Sequence, residues 1–284
     1  MANTEKKGKV ILAGAGPGDP ELITLKAVNW LQQADVVLTD RLVSKVILQR
    51  YIRPQALLMQ VGKQCRRGVS TPQHEINALM VRYAAAGKLV VRLKGGDISF
   101  FSNVLDELET LHEHHIPYEI VPGVTAASGA AAYAGFPLTA RDHAMGVRFL
   151  TYYQSSAITA AQWTELAATS DTLVFYMSSE TLYALIEHLL AHGIPADMPV
   201  AVLEQATTTY QQVYRSTIQD CRSEWDGLTF LSPSLVVIGR VAALHDRYAW
   251  KEGSSLRQYY FQPLTSPVTN LHYQDTDQQY AGRA

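Results

Sequence analysis

Apolar and polar positions along this chain follow two periods. Short runs rich in valine, isoleucine and leucine recur at residues 10–13, 34–39, 57–61, 89–93 and 118–121, with the length and β-branched content of buried strands. Between them apolar residues fall three or four apart, which predicts helices from Pro20, over 72–86 and around 104–114. Asp19 ahead of Pro20, and Thr71 ahead of Pro72, each pair a capping side chain with a proline at the first helical position. Leu22, Leu25, Val28 and Leu31, or their neighbours, are expected to carry the apolar face of the first helix. This alternation of strand and helix predicts an α/β fold with a largely parallel sheet.

After Pro122 the texture changes. Residues 123–135 are mostly small, suited to a helix packed closely against a neighbour, and Pro137 ends it. Further strands are predicted at 148–151, 172–177, 199–203, 212–218 and 235–238, and Leu182, Leu185, Ile186, Leu189 and Leu190 share one helical stripe. The expected organisation is two α/β domains, 9–141 and 146–250, and a loose, non-periodic tail at 251–284.

Composition narrows the class. The 284 residues are 47% hydrophobic and 18% charged, a packed globular composition, and at about 150 residues per domain they suggest two domains. The two cysteines, Cys65 and Cys221, are far apart with no CxxC, which argues against a disulfide framework or a zinc site. A formal net charge of −2 argues against nucleic acid as a partner. No apolar run is long enough to span a bilayer, and Met1 to Lys9 resembles no secretory or transit signal, so a cytoplasmic, membrane-free protein is expected. His188 and His192 have i, i+4 spacing but lie off the apolar stripe without a third ligand, so no metal is expected.

Candidate chemistry begins where the first strand meets Gly14-Ala15-Gly16-Pro17-Gly18-Asp19-Pro20. Glycines there permit left-handed backbone and close approach of a ligand. A dinucleotide turn is one reading, with Asp40 at the end of the second strand as the ribose acid, and a tight turn without ligand is another. The spacing disagrees with the dinucleotide fingerprint: the third glycine falls one place early and Pro17 removes an N–H.

This opening resembles that of the tetrapyrrole methylases. Four further segments recur in that family's order: residues 34–43 around Asp40-Arg41-Leu42, Val61-Gly62-Lys63, residues 91–97 ending in Lys94-Gly95-Gly96-Asp97, and residues 121–139. The resemblance spans about residues 9–244 and points within the family to uroporphyrinogen-III C-methylation. It implies two α/β domains with a cleft between them and S-adenosylmethionine as methyl donor, leaving as S-adenosylhomocysteine. Donor contacts are implied at Pro17, Gly95, Gly96, Asp97, Phe100, Thr125, Ala126, Met177 and Ala206. Asp40 is implied as proton acceptor and Lys63 as proton donor, with Arg41, Arg66 and Arg67 facing the carboxylates of a tetrapyrrole substrate. A homodimer is also implied. One departure stands out: many members continue Pro-x-x-Phe-Gly-Arg-Gly after the Gly-Gly-Asp, whereas this chain has Ile98-Ser99-Phe100-Phe101-Ser102-Asn103-Val104.

Overall fold

The computed structural model describes residues 8–62, 70–153, 158–261 and 268–270. It divides into two compact units, Met1–Thr125 with Phe261–Ala284, and Ala126–Tyr260. The boundary expected at 141–146 lies inside the second unit, because the small-residue helix packs on the sheet that follows it in sequence.

The first unit alternates β1 (Lys9–Gly14), α1 (Leu25–Leu31), β2 (Val36–Thr39), α2 (Lys45–Tyr51), β3 (Leu57–Val61), α3 (Gln73–Ala85), β4 (Leu89–Lys94), α4 (Val104–Glu113) and β5 (Tyr118–Val121). The strands are parallel and lie in the order β3-β2-β4-β1-β5. Successive strand residues point to opposite faces. Ile11, Ala13, Val37, Val91 and Leu93 therefore pack with Ala27, Leu31, Ile47 and Leu48 of α1 and α2. Val10, Leu12, Val36, Leu38 and Val90 pack with Ile76, Met80 and Leu111 of α3 and α4 on the other side. Both faces are covered, which is why these strands read as continuous apolar runs.

The neighbouring strands β1 and β4 hand the chain to helices on opposite faces, α1 and α4 respectively. Their connections diverge at the carboxyl edge, and in open α/β sheets such a switch point is where ligands sit.

Three expectations in this unit are corrected. The helix from Pro20 is split into a 3₁₀ turn, Pro20–Leu22, and α1, because Thr24 provides a second cap whose hydroxyl accepts from Ala27 N at 3.3 Å. Leu25 is consequently 82% exposed, and Ala27 and Leu31 carry the buried face. Thr71 does not cap α3: its N–H donates to the Gly62 carbonyl at 2.8 Å, and its Oγ1 accepts from Gly62 N at 3.4 Å. The tail also contains order, since a strand at Val268–Asn270 runs antiparallel along β3.

The second unit comprises α5 (Ala126–Ala134), β6 (Val147–Thr151), α6 (Ala160–Ala168), β7 (Thr172–Tyr176), α7 (Leu182–Ala191), β8 (Pro199–Glu204), β9 (Gln212–Thr217) and β10 (Ser234–Ile238), with shorter helical turns between. Its sheet has the order β6-β7-β10-β8-β9, and only β6 and β7 are parallel. The largely parallel character expected from strand alternation thus holds for the first sheet alone. Leu173, Phe175, Val200, Val202 and Val236 face α6 and α7, while Val174, Tyr176, Ala201, Leu203 and Val237 face α5. On α7 the buried stripe is Leu182, Leu185, Ile186 and Leu189, and Leu190 is exposed. Among the described residues no helix is long and apolar enough to cross a membrane.

Candidate functional site

The carboxyl edge of the first sheet brings three glycines into backbone contact. Gly16 and Gly96 form an antiparallel bridge, with Gly96 N donating to Gly16 O at 2.7 Å and Gly16 N to Gly96 O at 3.1 Å. Both glycines have positive φ, 79° and 70°, a conformation that costs an ordinary L-residue energy and glycine almost none. A Cβ at Gly123 would fall 2.4 Å from the Gly96 carbonyl oxygen. The glycine-rich turn is therefore required first for packing of the loops after β1, β4 and β5 on one another.

Asp97 locks this arrangement. It is 7% exposed; its Oδ2 accepts from Gly123 N at 2.7 Å and its Oδ1 from Ser99 N at 2.8 Å. The carboxylate keeps lone pairs beyond these two bonds, so it can hold the loop and still accept from a ligand. Gly95 and Gly96 remain half-buried beside it, and their N–H groups are already given to Asp40 and Gly16.

Asp40 is held in the same manner at the end of β2. Its Oδ1 accepts from Leu42 N at 2.9 Å and its Oδ2 from Gly95 N at 3.2 Å. The carboxylate ties the loop after β2 to the loop after β4, and one further lone pair on each oxygen is available for a proton. Arg41 donates from Nη1 to the Phe261 carbonyl at 3.4 Å. Lys63, Arg66 and Arg67 lie outside the described residues, as does Cys65.

The remaining candidates are placed as follows. Pro17 is half-buried in the turn after β1, and Phe100 is exposed in the loop after Asp97. That loop contains Phe101 and Asn103 with φ of 52° and 57°, the departure from the Pro-x-x-Phe-Gly-Arg-Gly pattern. Thr125 and Ala126 lead into α5, whose Ala127 N–H donates to the Tyr176 hydroxyl at 3.0 Å, so that amide of the helix start is already satisfied.

In the second unit, Met177 directly follows β7 with φ 55°, is 50% exposed, and accepts at Sδ from the Tyr153 hydroxyl at 3.2 Å. It is not a core methionine. Ala206 is buried between Gln205 and Thr207, two further non-glycine residues at positive φ, 47° and 66°. Gln211 holds this turn, accepting from Thr207 N at 2.7 Å and donating to the Tyr133 carbonyl at 3.1 Å. Strained backbone supported by buried polar groups is a feature of ligand sites.

Other groups are engaged elsewhere. Arg148 is paired with Glu165 at 2.6 Å and Asp171 at 2.9 Å. His188 stacks on Trp163 with centroids 4.8 Å apart, and among the described residues no group of three or more acidic, His or Cys side chains could hold a metal. Cys221 is buried, and desolvation pushes its thiol up to about 11, which makes it inert. A concavity of about 440 Å³ lined by Ser128, Phe136, Pro137, Leu138 and small residues of α5 carries no titratable group.

Sequence reading missed two parts of this edge. The crowding of Gly14 and Gly123 against Gly96 joins residues far apart in sequence. Arg92 and Lys94 interrupt an apolar strand and are both buried against Glu107 of α4; the alternation of charge within β4 was the available signal.

Comparison with known proteins gives this geometry a context. The family model described as Tetrapyrrole (Corrin/Porphyrin) Methylases matches residues 9–221. The siroheme synthase of Pseudomonas paraeruginosa is 46% identical over 247 residues, 87% of this chain and 53% of that protein. The chain thus spans about half the length of the curated relatives it matches. Among solved structures, uroporphyrin-III-C-methyltransferase from Thermus thermophilus superposes with a TM-score of 0.71 at 35% identity, covering 86% of this chain and 98% of that one. A structure of that enzyme complexed with S-adenosyl homocysteine gives 0.70 at 32% identity, covering 84% of this chain and 94% of that one. A cobalt precorrin-4 methyltransferase gives 0.72 at 28% identity, covering 82% and 95%.

Proposed function

The chain belongs to the tetrapyrrole methylase family, and from that premise we propose that it transfers methyl groups from S-adenosylmethionine to C2 and then C7 of uroporphyrinogen III, giving precorrin-2 for sirohaem or corrin synthesis. The observation that carries this reading is the 35% identity to the Thermus enzyme along 98% of that enzyme's length. The siroheme synthases, similar over about half their length, support the same substrate.

The residues at the carboxyl edge fit a folded sulfonium nucleoside as donor. Gly95 and Gly96 offer a half-buried surface without side chains, Asp97 a fixed acceptor for a ribose or amino group, and Phe100 an exposed ring. Pro17, Thr125, Ala126, Met177 and Ala206 complete the set proposed to bind it. When bound, the donor supplies an electrophilic methyl carbon on a good leaving group.

The protein's share is positioning and charge. The reduced tetrapyrrole attacks through a ring carbon, so cationic character develops on a pyrrole and a proton is later lost. Asp40, held by two backbone N–H groups, opposes that charge and accepts the proton. Lys63 is proposed as proton donor, and Arg41, Arg66 and Arg67 as partners of the substrate's acetate and propionate groups. Holding carbon, methyl and sulfur in line supplies most of the rate. A homodimer working in the cytoplasm is part of the same reading, and light scattering checks the former.

The test is anaerobic incubation with uroporphyrinogen III and S-adenosylmethionine, then mass analysis of the oxidised product. A gain of two methyl groups is expected. A product with one methyl or none, beside an active control enzyme, overturns the reading. The similarity to a cobalt precorrin-4 methyltransferase supports a second reading, a later precorrin methylase. Methylation of a precorrin but not of uroporphyrinogen would select it.

A further inference from the structure

The last described segment of the chain belongs to the first unit and lies against the loop that carries Arg41. Phe261 is 3% exposed, and its carbonyl accepts from Arg41 Nη1 at 3.4 Å. Further on, Val268, Thr269 and Asn270 pair antiparallel with Val61, Gln60 and Met59 of β3. Val61 is followed by Gly62, where an added Cβ would lie 3.6 Å from the Arg41 nitrogen and 3.6 Å from the Asp40 Cα. The segment is thus fastened at two points, and both lie at the carboxyl edge, around the loops after β2 and β3.

Up to Tyr260 the chain belongs to the second unit. There Gln205 donates from Nε2 to the Gln258 carbonyl at 2.8 Å and accepts at Oε1 from Tyr260 N at 2.6 Å, so the approach to Phe261 is held without help from Arg41. The family match ends at residue 221, and the family likeness therefore assigns this segment no role.

The backbone around Arg41 is set by Asp40, which accepts from Leu42 N and Gly95 N. The arginine side chain is long, and a guanidinium that grips a carboxylate loses rotamer freedom on doing so. A bond to a backbone carbonyl removes part of that freedom before any ligand arrives. This bond also orients the guanidinium without cancelling its charge, as the carboxylates of Glu165 and Asp171 do at Arg148. A carbonyl can serve in this way only if its own place is fixed. Burial of Phe261 and the pairing of the strand at Val268–Asn270 with β3 fix it.

We propose that Phe261 is a positioning residue for substrate recognition: it holds the Arg41 guanidinium in place to receive a carboxylate of the tetrapyrrole. This rests on the methyltransferase reading above, in which Arg41 meets an acetate or propionate group. Phe261 acts through Arg41 and not on the reacting atoms.

The test uses the full chain as wild type, Phe261→Ala, Phe261→Leu, Arg41→Ala and the Arg41→Ala, Phe261→Ala double variant in the anaerobic methylation assay. On each, kcat, KM for uroporphyrinogen III, S-adenosylhomocysteine affinity and thermal midpoint are measured. Arg41→Ala should raise KM about tenfold or more and Phe261→Ala about fivefold or more, with kcat and donor affinity within about threefold. With Arg41 already removed, Phe261→Ala should change KM by less than about twofold, because the group it positions is gone. A merely structural role would lower the midpoint and leave the two KM effects multiplying. Phe261→Leu, which keeps most of the buried apolar volume, should fall between wild type and Phe261→Ala. Should Phe261→Ala fail to fold, Phe261→Leu takes its place in the cycle, with a KM rise of about threefold that vanishes beside Arg41→Ala. Wild-type KM in the folded Phe261 variant or in Arg41→Ala, or KM effects that multiply in the double variant, overturns the proposal. An inactive wild type overturns the methyltransferase reading and this role with it, whereas an active wild type beside an unaffected variant removes this role alone.

Discussion

Replacing Gly14 by alanine adds one methyl group where three chain segments meet. Its Cβ would lie 2.6 Å from the Gly96 carbonyl oxygen, 2.8 Å from the Gly123 nitrogen and 2.9 Å from the Gly123 Cα. All three are backbone atoms, so none can swing aside as a side-chain tip would. The Gly96 carbonyl is held by Gly16 N at 3.1 Å, and Gly123 N is held by Asp97 at 2.7 Å. Overpacking of this kind costs about 1–3 kcal/mol, and displacing Gly123 from Asp97 loses a charged hydrogen bond worth about 1.5–3 kcal/mol more. The expected loss is roughly 2.5–6 kcal/mol. Gly193→Ala is the control: nothing lies within 4 Å of its Cβ, but its φ is +94°, so only backbone strain of about 1–2 kcal/mol is paid. Urea denaturation measures both losses, and calorimetry with S-adenosylhomocysteine measures the effect on the proposed donor site. Gly14→Ala should weaken that affinity about tenfold or more, and Gly193→Ala should leave it alone. Equal stability losses in the two variants, or undiminished affinity in Gly14→Ala, would refute the argument that strand-end crowding shapes this edge.

Asp40→Asn should lower kcat by about 10²–10⁴-fold, as loss of a general base does. It should also lower stability by about 1–3 kcal/mol, because an amide can accept only one of the two bonds from Leu42 N and Gly95 N; near-normal kcat removes Asp40 from the chemistry. Glu204 has no exposed surface, and its pKa is raised, by desolvation before any other cause and against the Leu231 N–H that lowers it. The native state thus holds a proton that the unfolded chain releases, so the contribution of this residue to stability declines as pH rises from the unfolded value of about 4.3 through the raised folded one. Urea midpoints of Glu204→Gln should therefore fall less than those of wild type between about pH 4 and pH 7, and parallel curves contradict this. Arg148→Ala should change stability by no more than about 1 kcal/mol and leave the KM for tetrapyrrole unaltered, since Arg148 is paired with Glu165 and Asp171; a large rise in KM would show that it meets the substrate.

The positions of the strands were legible in the chain itself. The runs at 10–13 and 89–93 fall within β1 and β4, because burial on both faces writes a local apolar signal that needs no partner to be read. The glycine-rich turn, the acid at the end of β2 and the Gly95-Gly96-Asp97 step were likewise visible, as departures from that apolar pattern at strand ends. Tertiary structure decided how these pieces are used. Asp40 meets Gly95, Asp97 meets Gly123 and Gly14 is pressed on Gly96 across tens of residues, and no local period encodes such pairings. The order of the strands and the antiparallel pairing of β8, β9 and β10 also lay beyond it, since an apolar run specifies that a segment is buried but not which neighbour it bonds or in which direction. Lys94 shows the division within one residue. The sequence places a lysine at the end of a buried strand beside Arg92, and only the fold brings Glu107 against both, because electrostatic interaction depends on distance in space and not on separation along the chain.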